Sequence, residues 1–303
     1  MRVAAVTAAC ALAATGCSGD SSPSSTDAQT VVATTSIWAD ITGNVACDGS
    51  VIVETLIPSG ADAHSFQPSL ADRALLDDAS LIISNGLGLE EIMADTLDAA
   101  ERAGTPIIEI ADHVQTQTSV EETDDGDPHI WFDPRLVADS LDVIADGLID
   151  ETGADPDALA KCVEDYRSEL KTLDEETEAL IDTLSANERS LATDHESLTY
   201  FAQRYGLDIV GTVIPSASTL AESNPAQLEA LARTLEQEGV RVIFAEGEHS
   251  TEEADVLSRR LGDVRVVTLH TAGLEEHGSE ADTYLNLIRT NAAEIVAGLT
   301  DTP

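Results

Sequence analysis

Short apolar runs alternate with stretches of helical periodicity along most of the chain, the pattern of repeated strand–helix units and parallel sheets. In the first half, strands are predicted at residues 30–35, 51–56, 81–84 and 106–110, and helices at 37–46, 70–77, 90–103 and 135–148. The second half repeats the theme, with strands at 190–193, 208–213, 241–245 and 264–269 and helices at 198–205, 225–238, 251–261 and 283–299. Between the halves the period changes. Leu159, Val163, Tyr166, Leu170, Leu173, Thr177, Leu180 and Leu184 recur at alternating steps of four and three, which puts them on one face of a long amphipathic helix. Asp155-Pro156 suits its start, since Asp can cap and Pro is tolerated in the first turn. About thirty residues of helix would run roughly 45 Å at 1.5 Å per residue. The expected fold is α/β: two lobes, each a parallel four-stranded sheet with flanking helices, joined by one long rigid helix. The expected segments are 1–16 leader, 17–29 tether, 30–154 first lobe, 155–187 linking helix and 188–303 second lobe.

Composition narrows the task. Hydrophobic residues make up 43% and aromatics only 3%, so a sizeable core is built mainly from aliphatic side chains. With 57 acidic against 15 basic residues the net charge is −42, a surface that repels phosphate backbones and argues against nucleic acid as partner. Diffuse negative charge selects no particular cation, and reads as adaptation to solubility or a salty medium.

The N-terminus carries an address. Arg2 precedes an apolar stretch from Val3 to Ala14, too short to span a bilayer as a mature helix. It ends in Ala14-Thr15-Gly16-Cys17, which resembles a bacterial lipobox and marks Cys17 for lipidation and anchorage to the cell membrane, outside the cytoplasm. Ala14 stands where Leu is commoner. Residues 18–29 are Ser-rich and read as a flexible tether. Two further cysteines of the exported part, Cys47 and Cys162, are expected to pair in an oxidising compartment.

Candidate chemistry lies in the seven histidines. In open α/β sheets, ligands bind beyond the carboxyl ends of the strands. His64 and His129 follow the second and fourth predicted strands. His195 and His270 follow the first and last strands of the second half. These four fall on the rim where a cleft between lobes would open, whereas His113, His249 and His277 have polar or acidic neighbours and read as solvated. Imidazoles converging between rigid lobes would form a compact tetrahedral site, with Zn2+ the default occupant.

The local sequences resemble the zinc/manganese solute-binding proteins of bacterial ABC importers. The first ligand motif corresponds to Gly60-Ala61-Asp62-Ala63-His64-Ser65-Phe66-Gln67-Pro68-Ser69, and the second to Asp127-Pro128-His129-Ile130-Trp131-Phe132-Asp133-Pro134. The third corresponds to Thr193-Asp194-His195-Glu196-Ser197-Leu198-Thr199-Tyr200-Phe201 with Arg204-Tyr205-Gly206-Leu207. Ile243-Phe244-Ala245-Glu246 and Ala281-Asp282-Thr283-Tyr284-Leu285 look like further landmarks, so the likeness runs from about residue 30 to the end. It implies two lobes bridged by a long helix, metal ligation by His64, His129 and His195, and delivery of the ion by a monomer to an ABC permease in the cytoplasmic membrane. Manganese-type members tend to carry a carboxylate at the third position, so His195 points to Zn2+, with Mn2+ the alternative. The family's fourth ligand is an acid in a Thr-acid-small-Leu segment. Here Thr271-Ala272-Gly273-Leu274 puts Ala272 in that place, leaving His270, two residues earlier, as the expected fourth ligand, or else water. On that reading His270→Ala weakens zinc binding more than tenfold. The acidic run from Glu121 to Asp127 reads as a solvated loop.

Three histidines and an open position would also suit a zinc hydrolase or lyase. No HExxH, nucleophile elbow or other catalytic motif is present, so no enzyme is expected. A cleft for an iron–siderophore, haem or cobalamin would want aromatics or arginines, in which the chain is poor.

Overall fold

The computed structural model describes residues 29–116, 126–246, 251–262 and 264–300. The leader, Cys17 and most of the tether, Glu121 to Asp125 of the acidic run, and His249 lie outside them.

The first lobe holds β1 (Gln29–Ala33), α1 (Ser36–Val45), β2 (Val51–Thr55), α2 (Leu70–Asp78), β3 (Leu81–Ser84), α3 (Ala94–Ala103), β4 (Ile107–Glu109) and α4 (Pro134–Thr152). Its sheet has the order β2-β1-β3-β4, all parallel. α5 (Pro156–Ile181) follows. The second lobe holds β5 (Ser190–Thr193), α6 (Thr199–Tyr205), β6 (Asp208–Thr212), α7 (Pro225–Glu238), β7 (Val242–Glu246), α8 (Thr251–Leu261), β8 (Arg265–Leu269) and α9 (Tyr284–Thr300). Its sheet repeats the order as β6-β5-β7-β8, again parallel. No helix among the described residues is long and apolar enough to cross a membrane.

Local signals account for most boundaries. The Asp155 carboxylate caps α5 by accepting from the Asp157 and Ala158 N–H groups, with Pro156 in the first turn. Ser69 and Asp72 form a reciprocal capping box that starts α2. Two helices are shorter than the pattern predicts by more than a residue or two. α5 spans 26 residues, about 39 Å, because the Thr183 and Leu184 N–H groups bond to Leu180 and Ile181 and tighten the chain into a turn. Leu184 stays buried from that turn, so its place in the apolar stripe reflects burial and not helix. α3 begins at Ala94 because the Glu90 carboxylate, buried, accepts from the Thr34 hydroxyl (2.7 Å) and the Asn85 N–H (2.8 Å), pinning the preceding turn.

α5 packs on α1 and α4 of the first lobe and on α6 and α9 of the second. Arg204 of α6 forks onto Asp174 of α5 at 2.7 and 2.6 Å, and the Tyr205 hydroxyl donates to the same carboxylate. Cys47, just beyond α1, is disulfide-bonded to Cys162 of α5, 115 residues away. The lobes also meet directly: Leu274 N–H donates to Ser36 Oγ (2.8 Å), Tyr284 N–H to Asp40 Oδ2 (3.0 Å) and the Tyr284 hydroxyl to the Trp131 carbonyl (2.7 Å).

Candidate metal centre

His64 lies in the loop that leaves β2. Its backbone N–H donates to Asp62 Oδ1 (3.0 Å), while Asp62 Oδ2 accepts from the Ser65 hydroxyl (2.8 Å) and, across the cleft, from Thr219 (2.7 Å). The ring is buried, and neither of its nitrogens has a hydrogen-bond partner. A buried polar group left so costs free energy and calls for an explanation. Burial first, and the neighbouring imidazoles second, push its pKa down to about 3, so the ring is neutral at physiological pH.

His129 follows β4 on a short 3₁₀ turn, Ile130–Phe132. Asp127 Oδ1 accepts from both its backbone N–H (2.9 Å) and its Nδ1 (2.8 Å). The loop is held from both lobes: the Asn85 side-chain amide donates to the Pro128 carbonyl (2.8 Å), and the Tyr200 hydroxyl to the Asp127 carbonyl (2.9 Å). His195 leaves β5 in the same manner. Asp194 Oδ1 accepts from its N–H (2.8 Å) and Nδ1 (3.1 Å), and Asp194 Oδ2 accepts from the Glu246 N–H at the end of β7 (2.7 Å). Burial opposes charge on His195, but the hydrogen bond and charge of Asp194, with Glu246 and Asp62, outweigh it and hold the pKa up at about 9.

An ionised carboxylate can only accept, so Nδ1 of His129 and of His195 carries a proton, and Nε2 is the nitrogen each ring would turn to a cation. The ring centroids are 5.2 Å (His129–His195), 5.5 Å (His64–His129) and 6.2 Å (His64–His195) apart. Three imidazoles on one tetrahedral ion, with metal–nitrogen bonds of 2.0–2.1 Å, would have centroids about 5 Å apart. One ligand atom from each of the three lies within 4.8 Å of the others. The arrangement could hold a single borderline cation in a nitrogen-rich cage.

His270 is not part of it. Among the described residues, the groups of donor atoms that could hold an ion contain His64, His129 and His195, or Asp194, His195 and Glu246, and neither includes His270. The reason is local. Asn291 of α9 accepts from the His270 N–H (2.9 Å) and donates to its carbonyl (2.7 Å), and His270 Nδ1 faces Glu275 Oε1 at 3.1 Å, with over a quarter of the side chain exposed. Of the histidines read as solvated, His113 is exposed and His277 fully so.

Sequence reasoning passed over Asp62, Asp127 and Asp194 as orienting groups and Glu246 as a neighbour of His195 Nε2 (3.6 Å). An acid one or two residues ahead of each clustered histidine is a legible signal. In a chain with 57 acids, however, Asp112-His113 and Glu276-His277 show it too, and it does not discriminate.

The chain matches one family model, described as zinc-uptake complex component A, periplasmic (ZnuA), over residues 31–298. It is 25% identical to the manganese-binding lipoprotein MntA of Halalkalibacterium halodurans, over 95% of both chains. It is 28% identical to the zinc-binding protein TroA of Treponema pallidum, over 89% of this chain and 88% of that one. The solved structure of the periplasmic zinc binding protein TroA superposes with a TM-score of 0.83 at 26% identity, covering 90% of this chain and 99% of TroA. A manganese-bound mutant of a periplasmic metal binding protein from Candidatus Liberibacter asiaticus superposes at 0.80 and 25% identity, covering 89% and 99%.

Proposed function

We propose that this chain, which belongs to the family of the periplasmic component A of zinc-uptake complexes, captures one Zn2+ ion between His64, His129 and His195 and hands it to a membrane permease. As a member it is a substrate-binding component of a metal ABC transporter and not an enzyme. The observation that carries the zinc reading is the cage of three buried imidazoles: carboxylates hold Nδ1 of His129 and His195, which leaves Nε2 for the ion, and His64 has no hydrogen-bond partner. Imidazole nitrogen suits zinc, whereas manganese prefers oxygen-rich sets. Manganese is the second reading, favoured by the similarity to MntA.

Anchorage completes the proposal. Lipidation of Cys17 would tie the monomer to the outer side of the cytoplasmic membrane, with the tether giving it reach to the permease. Cys17→Ala is expected to release the protein from the membrane fraction into the soluble one.

The test of the metal is mass-spectrometric analysis of the soluble chain from residue 30 onward, followed by competition titration with zinc and manganese. One tightly bound zinc per chain that manganese does not displace supports the proposal. Preference for manganese keeps the transporter component and overturns the metal. Absence of any tight metal overturns the cargo.

A further inference from the structure

We propose that Glu246 is the fourth donor to the captured cation, a carboxylate supplied from the end of β7 in place of the acid whose position Ala272 occupies. The inference rests on the metal-capturing function proposed above.

Distance is the first argument. Glu246 Oε2 stands 3.6 Å from the Nε2 of His195 and shares a group of donor atoms with it, though not with His64 and His129, toward which the carboxylate must close to join them on the ion. The separation from Nε2 is beyond the 2.7–3.2 Å of an N–H···O hydrogen bond. It is close to the roughly 3.4 Å that separates two ligand atoms on one tetrahedral zinc, given bonds of 2.0–2.2 Å. The His195 Nε2 is buried and accepts no hydrogen bond, as a nitrogen kept for a cation should be.

Registration is the second. One carboxylate, Asp194, orients the His195 ring through Oδ1 and grips the Glu246 backbone through Oδ2. It fixes the ends of β5 and β7, which are paired neighbours where the strand order of the second sheet changes direction. The two side chains are thus set together by one group.

Elimination is the third. Asp62 accepts from His64, Ser65 and Thr219, and Asp194 has both oxygens engaged by N–H donors. Asp127 Oδ1 is committed to His129, and although its Oδ2 has no hydrogen-bond partner, Asp127 belongs to neither group of donor atoms among the described residues that could hold an ion, whereas Glu246 shares one with His195. His270 faces Glu275. Charge agrees: three neutral imidazoles leave a buried dication with its full charge, and a carboxylate donor halves it, which lowers the cost of removing the ion from water.

The experiment compares wild-type chain with Glu246→Gln, Glu246→Ala, His270→Ala and, as reference, His64→Ala. Zinc affinity is read by competition with a chromophoric chelator, and the visible spectrum is read for the Co2+-loaded forms. Metal-free melting temperatures check that each variant folds. Glu246→Gln and Glu246→Ala are expected to lose at least tenfold in zinc affinity and to change the position or intensity of the cobalt bands. His270→Ala is expected to stay within twofold with an unaltered spectrum. Zinc affinity within twofold in both Glu246 variants overturns the inference. So does weakened binding with an unchanged cobalt spectrum, since the carboxylate would then act through space and not as a ligand. If the wild-type chain holds no metal, it is the capture function that fails.

Discussion

Asp194→Asn tests the electrostatic logic of the site, because it sets two effects of known sign against each other. In the native chain Asp194 holds the His195 pKa near 9, so at pH 7 only about one imidazole in a hundred is neutral, and a cation must displace the proton at a cost of about 2.7 kcal/mol. With Asn in its place the charge is gone, burial dominates, and His195 falls toward or below the ordinary imidazole value of about 6.5. Proton competition at pH 7 then largely disappears. Against this, the amide oxygen can serve either the His195 N–H groups or the Glu246 N–H, which Asp194 now accepts on separate oxygens. Loss of an orienting carboxylate of this kind costs about 10–100-fold in metal affinity, or about 1.4–2.7 kcal/mol. Competition titration across pH 6.5 to 9 separates the two. Native affinity should climb about tenfold per pH unit from 7 toward 9, while the variant's should be nearly flat. The variant should therefore be about 10–100-fold weaker at pH 9 and much closer to native at pH 7. Two parallel pH profiles would refute the reasoning, since Asp194 would then orient His195 without setting its proton affinity.

Other expectations concern stability. Replacing Cys47 and Cys162 together by Ala opens a closure of 115 residues, and should cost about 2–5 kcal/mol in a denaturant titration. Arg204→Ala leaves Asp174, nine-tenths buried, without its forked partner, and should lower stability by about 3–5 kcal/mol, read from the urea midpoint. Asp40, at the contact between lobes, has its pKa raised to about 6, mainly by burial. Its folded value lies above the unfolded one of 3.8, so the folded chain binds the proton more tightly and stability falls as pH rises from about 4 to 6. The shift corresponds to at most about 3 kcal/mol. Asp40→Asn keeps an acceptor for the Tyr284 N–H, and should remove that pH-dependent part and raise stability at pH 7; an unchanged difference in melting temperature between pH 4 and 7 would contradict it.

The division between what the linear pattern encodes and what the folded chain decides follows the range of the interactions involved. Strands, helices, the Asp155-Pro156 start of α5 and the pairing of two similar lobes are set by neighbours a few residues apart, through periodicity, capping and the loss of backbone donors at proline. They are legible for that reason. The three clustered histidines are legible as well, because each follows a strand and parallel strands all point their carboxyl ends to one side. His270 follows a strand too, and the same rule misleads there. Its direction is decided by Asn291, 21 residues on, and its loop is tied down by the Leu274 N–H on Ser36, 238 residues away. No local pattern carries such contacts. Glu246 is the converse case: it closes a landmark segment of the sequence, yet nothing local marks it as a donor among 57 acids. Only the pairing of β5 with β7, across about fifty residues, brings its carboxylate beside Nε2 of His195. Which donors converge depends on where loop backbones are pinned by distant partners, and that information exists only once the lobes have closed on α5 and on each other.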